Sequence, residues 1–299
     1  MRASTHTEVY RRFEGQLRRR RLRFLPLTSA GIRIAFKRKL PALLIFAPSA
    51  IGAIIACFIV HLKFTVESGE VAGIDAQRAG MIAAATGRLL EVSNQIVTFM
   101  VQTRFFGLLA IAWYGAGLFA EDRRLGAHLL YFSRPITRVD YFLGKLGTVL
   151  FYGACSFLFP VLMILSVASF SSPDWSFVTQ QGDVIPKAIA YASLWIFVLS
   201  SLVLAVSSLV DRKTLALAAF MGLFVLTEAV GKVMGEIIDE PRWRLLSLTK
   251  NFGHVADWLF ERTPEVDYPV GFSLGMIGFW TVGALVVTAL RLRRMEVVA

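Results

Sequence analysis

The side chains best placed for chemistry in this chain are charged groups inside otherwise apolar segments. Glu228 and Lys232 are four residues apart, so a helix would place them on one face. Ionisable groups at membrane depth pair with one another or line a path for a substrate. We expect a Glu228–Lys232 pair that faces the other helices, with a substrate contact as the alternative. Arg104, in another apolar segment, would pair with Glu228 or extend to the membrane surface.

No catalytic or metal site is indicated by the remaining polar residues. Ser200, Ser201, Ser207 and Ser208 of the apolar segment 188–210 have no base near them in the sequence, and the four histidines never cluster. Cys57 and Cys155 both lie inside apolar segments, which gives no disulfide framework and no zinc ligand set. The phosphate-binding pattern G-x-x-x-x-G-K-[ST] is missing from the sequence. We therefore predict that the chain is not an enzyme and holds no metal or cofactor.

These groups belong to a chain that is too apolar for a soluble domain of its size. It has 299 residues, of which 56% are hydrophobic, and a mean hydropathy of +0.60. Apolar blocks long enough to cross a membrane as helices lie at 41–62, 99–120, 146–170, 188–210, 214–235 and 270–290. The sequence predicts an all-α polytopic membrane protein with six transmembrane helices. We expect no cleavable signal peptide, because the first 40 residues are basic and lack an apolar core.

The net charge of +11 fits a membrane topology better than binding to nucleic acid. Residues 1–40 carry 12 of the 32 Lys and Arg residues, and 121–145 carry five more. The positive-inside rule places these segments and both termini in the cytosol. We expect residues 1–23 to form a basic arm near anionic lipid and residues 24–299 to form the membrane domain. A helix within 27–40, with Thr28 or Ser29 as its N-cap, would lie in the membrane interface.

The loop 121–145, between the second and third apolar blocks, has helix and turn signals of its own. Leu125, Leu129 and Phe132 form an apolar stripe, which predicts a short amphipathic helix. Pro135 would end that helix. Thr137 and Asp140 have the spacing of a capping box, which would start a second helix leading into the third block. The alternative is an ordinary basic loop that only fixes the topology.

Three other segments carry structural expectations. The second block should extend outward as a helix longer than the membrane is thick, beginning near Ala76. Residues 236–269 mix aromatic and charged side chains, which fits an interfacial or partly re-entrant connection. Small residues at 112 and 115–117 suit close helix packing, either within the subunit or between two copies.

The run GLFAEDRRLGAHLLYFSRPITRVDYFLGKL resembles the segment between the second and third spans of ABC-2 type permeases. The matching positions are Glu121, Arg134, Pro135, Arg138, Tyr141, Gly144 and Lys145. The resemblance extends over about residues 24–294 and is strongest to the permeases related to copper-enzyme maturation and gliding-motility exporters. The arginine-rich residues 1–23 are longer than that family pattern.

The resemblance implies an ABC-2 (type V, ABCG-like) exporter permease fold with an N-terminal interfacial helix and a cytosolic coupling helix at 121–140. A separate ABC ATP-binding subunit, which would hold ATP and Mg, is expected to dock on that helix. The resemblance also implies a second permease copy or a related permease, contact with membrane lipid, and a place in the bacterial inner membrane. The residues expected to couple to the ATPase are Glu121, Arg123, Arg124, Leu125, Leu129, Arg134, Pro135, Arg138, Tyr141 and Lys145.

Two other functions remain open from the sequence. A secondary transporter would need an ionisable site near the membrane midplane, and the central thirds of the predicted spans are nearly free of charge. A membrane assembly or anchor protein without transport activity is the other alternative. The transported substrate and the direction of transport do not follow from the sequence.

Overall fold

The protein is a helical bundle in which six helices are long and apolar enough to cross a membrane. The computed structural model describes residues 23–36, 39–67, 87, 90–127, 136–237, 241–266 and 268–294, and every regular element in these ranges is helical. The six spans, first to sixth, are Ile45–Val66, Val92–Arg124, Arg138–Ser171, Val184–Leu209, Lys213–Gly235 and Val270–Arg294. The number and order of the predicted spans are confirmed. The basic arm predicted for residues 1–23 lies, apart from Arg23, outside the described residues.

The second and third spans are longer than a hydrocarbon core. They have 33 and 34 residues, roughly 50 Å each, against about 30 Å for the core of a bilayer. The long second helix was expected, although its predicted start near Ala76 lies outside the described residues. The third span widens into a π-helical turn at Ala154–Leu158. Pro160 follows in the first turn of the next helical stretch, where its missing N–H costs least.

The fourth span is the centre of the bundle. In the most apolar 18-residue stretch of the fourth span, 67% of the residues are buried. In the corresponding stretches of the fifth and sixth spans, only 22% and 17% are buried. Ala112 and Ala116 of the second span are fully buried inside the subunit, and Gly115 lies directly against Val203 of the fourth span. The small face of the second span is therefore used for packing within the subunit. The peripheral fifth and sixth spans leave most of their surface to lipid or to another subunit.

The two ends of the bundle differ in charge. The end that carries Arg124, Arg138, Lys213 and Arg294 is named here the basic end, and the other is the opposite end. The basic end also carries the N-terminal helix, Leu25–Phe36.

The N-terminal helix packs on the third span through glycines. A Cβ on Gly144 would lie 2.7 Å from Leu27 Cβ, and a Cβ on Gly31 would lie 2.6 Å from Thr148 Oγ1. The Thr28 hydroxyl donates to the Gly144 carbonyl at 3.1 Å. The predicted N-cap at Thr28 or Ser29 is wrong, because the helix already begins at Leu25 with a proline in its first turn, a position that suits proline.

At the opposite end, the chain folds back into the bundle between the fifth and sixth spans. A 3₁₀ turn, Pro241–Leu246, lies against the fifth span at Gly231 and leads to the helix Leu248–Leu259. Phe252 contacts Trp195 at 4.1 Å between ring centroids, and Glu261 pairs with Lys187 at 3.0 Å. The helix therefore runs antiparallel to the fourth span and beside it. The connection thus folds back beside the fourth span, as a re-entrant segment would, and we call Leu248–Leu259 the re-entrant helix.

Candidate functional site

The residues expected to couple to an ATPase lie where the second span ends and the third begins. The helix Gly117–Arg124 ends in a turn at Gly126, whose φ of +66° is favourable only for glycine. Arg124 and Leu125 are exposed at this turn, Leu125 by 71%. The predicted amphipathic helix was to begin at Leu125, which lies in this turn, and the rest of it, with Leu129, Arg134 and Pro135, lies outside the described residues.

The third span begins with the predicted capping box. The Asp140 amide donates to Thr137 Oγ1 at 3.1 Å, and the Thr137 amide donates to Asp140 Oδ2 at 3.2 Å. These bonds satisfy backbone donors that an uncapped helix would leave open. The helix therefore starts at Arg138, eight residues before the apolar block begins.

Two of the predicted coupling residues, Tyr141 and Lys145, point into the bundle. Tyr141 is fully buried, and its hydroxyl donates to Asp122 Oδ2 at 2.6 Å. Lys145 Nζ lies 2.6 Å from the same oxygen, and the side chains of Lys145 and Asp122 are only 11% and 17% exposed. The Lys145 ammonium also lies over the Tyr141 ring. This buried cluster joins the end of the second span to the start of the third.

Arg123, another predicted coupling residue, ties the second span to a different element. Its guanidinium donates to the Val210 carbonyl and lies 3.0 Å from Asp211 Oδ1, both in the connection between the fourth and fifth spans. Its side chain is 16% exposed. Glu121 and Arg138 are partly exposed. Among the described residues where the second span ends and the third begins, Arg124, Leu125 and Val139 are exposed.

A serine that sequence reasoning assigned no role lies behind this surface. Ser207, in the fourth span, accepts hydrogen bonds from the Phe119 and Ala120 amides at 3.1 and 3.2 Å. Its hydroxyl donates to the Ala116 carbonyl at 2.7 Å. Ala116 keeps helical dihedral angles, with φ of −60° and ψ of −31°, but the regular helical hydrogen bonding of the second span is interrupted there. The small residues at 115–117, just before the charged residues 121–124, are the sequence signal that could have directed attention to Ala116.

In the half of the bundle away from the basic end, Arg104 lies 3.8 Å from Glu228, and their side chains are 32% and 45% exposed. This is one of the arrangements expected for Arg104. Lys232 is exposed, and the described residues include no Glu228–Lys232 contact within 4.0 Å. The expected mutual pair is therefore replaced by a pair between two spans.

A serine–histidine contact at the opposite end does not form a catalytic site. His254 Nδ1 lies 2.9 Å from Ser273 Oγ, and Asp257 follows one turn later on the same helix. Burial raises the pKa of Asp257. A hollow of about 330 Å³ reaches His254 and Asp257, but Ser273 is fully buried and does not line it. The contact holds the re-entrant helix against the sixth span.

Comparison with known proteins gives one finding. A family model described as ABC-2 family transporter protein matches residues 42–297, which is most of the chain and includes all six spans. A search of curated proteins finds no significant match.

Proposed function

Since this chain belongs to the ABC-2 family of transporter proteins, we propose that it is the permease of an ABC exporter and is driven by a separate ATP-binding subunit. The chain is a multi-pass membrane protein and a transport subunit. On this proposal the ATPase docks at the basic end, which faces the cytosol together with both termini. The proposed membrane is the bacterial inner membrane, as the resemblance to ABC-2 type permeases implies.

The observation that supports docking at the basic end is an exposed turn mounted on a buried ionic cluster. Arg124, Leu125 and Val139 face outward, and the last two are 71% and 64% exposed. Directly behind them, Asp122, Lys145 and Tyr141 hold the two spans together. Closure of a soluble ATPase dimer can drive a membrane subunit only through a contact that does not yield. Arg124, Leu125 and Arg138 would make the contact, and Lys145 and Tyr141 would make it rigid.

Two further parts of the proposal concern partners. ATP and Mg would be bound by the partner subunit, because this sequence has no phosphate-binding loop. A second permease copy, or a related permease, would cover part of the first, fifth and sixth spans, whose apolar windows are 33%, 22% and 17% buried within the subunit. The half-exposed Arg104–Glu228 pair would then face the partner or the path, because charges at this depth avoid lipid.

The experiment is co-purification with a phosphate-loop ATPase encoded near this chain, followed by charge reversal. The double variant Arg124→Glu/Arg138→Glu should lose most of the bound ATPase, because both guanidinium groups lie at the basic end. Arg242→Glu, at an exposed position of the opposite end, is the matched control and should retain it. If the charge-reversed complex forms unchanged and its ATPase stays coupled, the docking assignment is wrong.

A further inference from the structure

The interruption of the second span at Ala116 is occupied by the side chain of another helix. Ser207 is fully buried, and its oxygen receives two backbone N–H groups while its proton goes to a backbone carbonyl. A hydroxyl has one proton and two lone pairs, so the hydrogen-bonding capacity of Ser207 is used entirely by the second span. A side chain inserted into a helical hydrogen-bond ladder is a recognised cause of helix bending.

The neighbouring residues allow this insertion. Gly115 has no side chain, and a Cβ there would lie 2.6 Å from Val203 Cγ1. Val203 is one helical turn before Ser207, so the close approach at Gly115 brings the hydroxyl within reach of the backbone at Ala116. Other buried serines in the same span behave differently: Ser201 bonds to the Phe197 carbonyl of its own helix, and Ser208 bonds to the Ala205 carbonyl.

Beyond the interruption, the helix Gly117–Arg124 is fastened to other elements by charged groups. Asp122 is bound by Lys145 of the third span, and Arg123 is bound to Val210 and Asp211 of the connection between the fourth and fifth spans. On the N-terminal side of Ala116, the second span packs into the apolar core through Ile111 and Ala112. The helix Gly117–Arg124 is therefore held by contacts at the basic end, whereas the rest of the second span is held by the apolar core.

We infer that Ser207 is a positioning residue that makes Ala116 a hinge with two bonded states. In the state described, the Ser207 hydroxyl is inserted. In the other, the Phe119 amide bonds to the carbonyl four residues earlier, at Gly115, and Ser207 turns to the Val203 carbonyl of its own helix, as Ser201 does with Phe197. In that state the Ala120 amide bonds to the Ala116 carbonyl, so the three backbone groups that Ser207 releases keep hydrogen-bond partners and the exchange needs little free energy. This inference rests on the proposed function, in which the ATPase supplies the force that turns the helix Gly117–Arg124.

The test measures the position of this helix directly. Spin labels at Arg124→Cys and Arg293→Cys, two exposed sites at the basic end, report the distance between the second and sixth spans in a background that lacks Cys57 and Cys155. A turn of about 20° moves the tip of an eight-residue helix, about 12 Å long, by about 4 Å. In the permease alone, Ser207→Ala should shift the label distance by about that amount.

Ser208→Ala is the matched control, because it removes a buried hydroxyl from the same span that bonds only within its own helix. It should leave the distance unchanged, and Ser207→Thr, which keeps the hydroxyl, should behave like the wild type. An unchanged distance in Ser207→Ala, or an equal shift in Ser208→Ala, overturns the inference.

The assembled complex separates this inference from the proposed function. The labelled protein keeps Leu125 and Arg138 of the docking surface. With the ATPase bound to it, ATP should change the distance in the chain that has Ser207 and leave that of Ser207→Ala fixed. A complex in which ATP leaves the wild-type distance unchanged also overturns the hinge, and this measurement does not depend on the folding of any Ser207 variant. If no ATPase binds the wild type, the proposed function fails, and the distances in the permease alone still decide the hinge.

Discussion

Removal of the Lys145 ammonium should weaken the joint between the second and third spans. In Lys145→Met the apolar stem is kept, but the Asp122 carboxylate, 17% exposed, loses the cation 2.6 Å away. The gross attraction of such a pair is about 6 kcal/mol at an effective dielectric constant of about 20, and desolvation offsets much of it. Removing one partner of a buried pair costs about 3–5 kcal/mol. Because Tyr141 still donates to Asp122, we expect a loss of about 2–3 kcal/mol in the free energy of unfolding.

A double-mutant cycle isolates the pair itself. Asp122→Asn should cost less in the Lys145→Met background than alone, which gives a coupling energy of about 1.5–3 kcal/mol. The matched control is Lys250–Glu265, which has a similar separation of 2.8 Å but side chains that are 49% and 68% exposed. Its coupling should stay below about 1 kcal/mol, since solvent screens exposed pairs.

The assay is reversible unfolding in mixed detergent micelles, with each variant measured under the same conditions. A coupling energy for Asp122–Lys145 no larger than that of Lys250–Glu265 would refute the reasoning. Burial of the cluster would then contribute nothing to the joint, and rigidity behind the docking surface would need another source.

Further predictions concern packing and pH. Gly144→Ala places a methyl group against the N-terminal helix and should destabilise the protein by about 1–3 kcal/mol. Gly278 has open space around it, so Gly278→Ala should be neutral or slightly stabilising. Thermal unfolding of the two variants checks this difference. Tyr152→Phe removes the hydroxyl that donates to two carbonyls of the N-terminal helix, and should speed amide hydrogen exchange in that helix. The hydrogen bond from Lys250 lowers the pKa of Glu265, so the pair stabilises the fold above the ordinary glutamate pKa and loses this contribution as pH falls through the lowered value. The melting-temperature difference between the wild type and Glu265→Gln should therefore disappear in acid.

The family resemblance and the spans could be predicted because they depend on short-range patterns. The capping box at Thr137 and Asp140 needs only three residues of spacing, and the structure confirms it. Tyr141 and Lys145 were predicted to couple to an ATPase, but the sequence pattern gave no direction for their side chains. Their common partner, Asp122, lies 19 residues from Tyr141 across a turn. Charge at the edge of an apolar block is compatible with a surface contact or with a buried pair, and only the packing of the two spans distinguishes them.

Sequence alone determined that this chain crosses the membrane six times and concentrates its basic residues at one end. Both properties are sums over local composition, because a span needs only enough consecutive apolar residues and topology follows the count of Lys and Arg. Tertiary structure decided the pairing of Glu228 with Arg104 and the insertion of Ser207 at Ala116, 91 residues away in the chain. Such contacts depend on which helix faces come together and how closely. In an apolar bundle, small residues and side-chain shape decide which helix faces come together. The sequence does not show which residues on other helices they will contact.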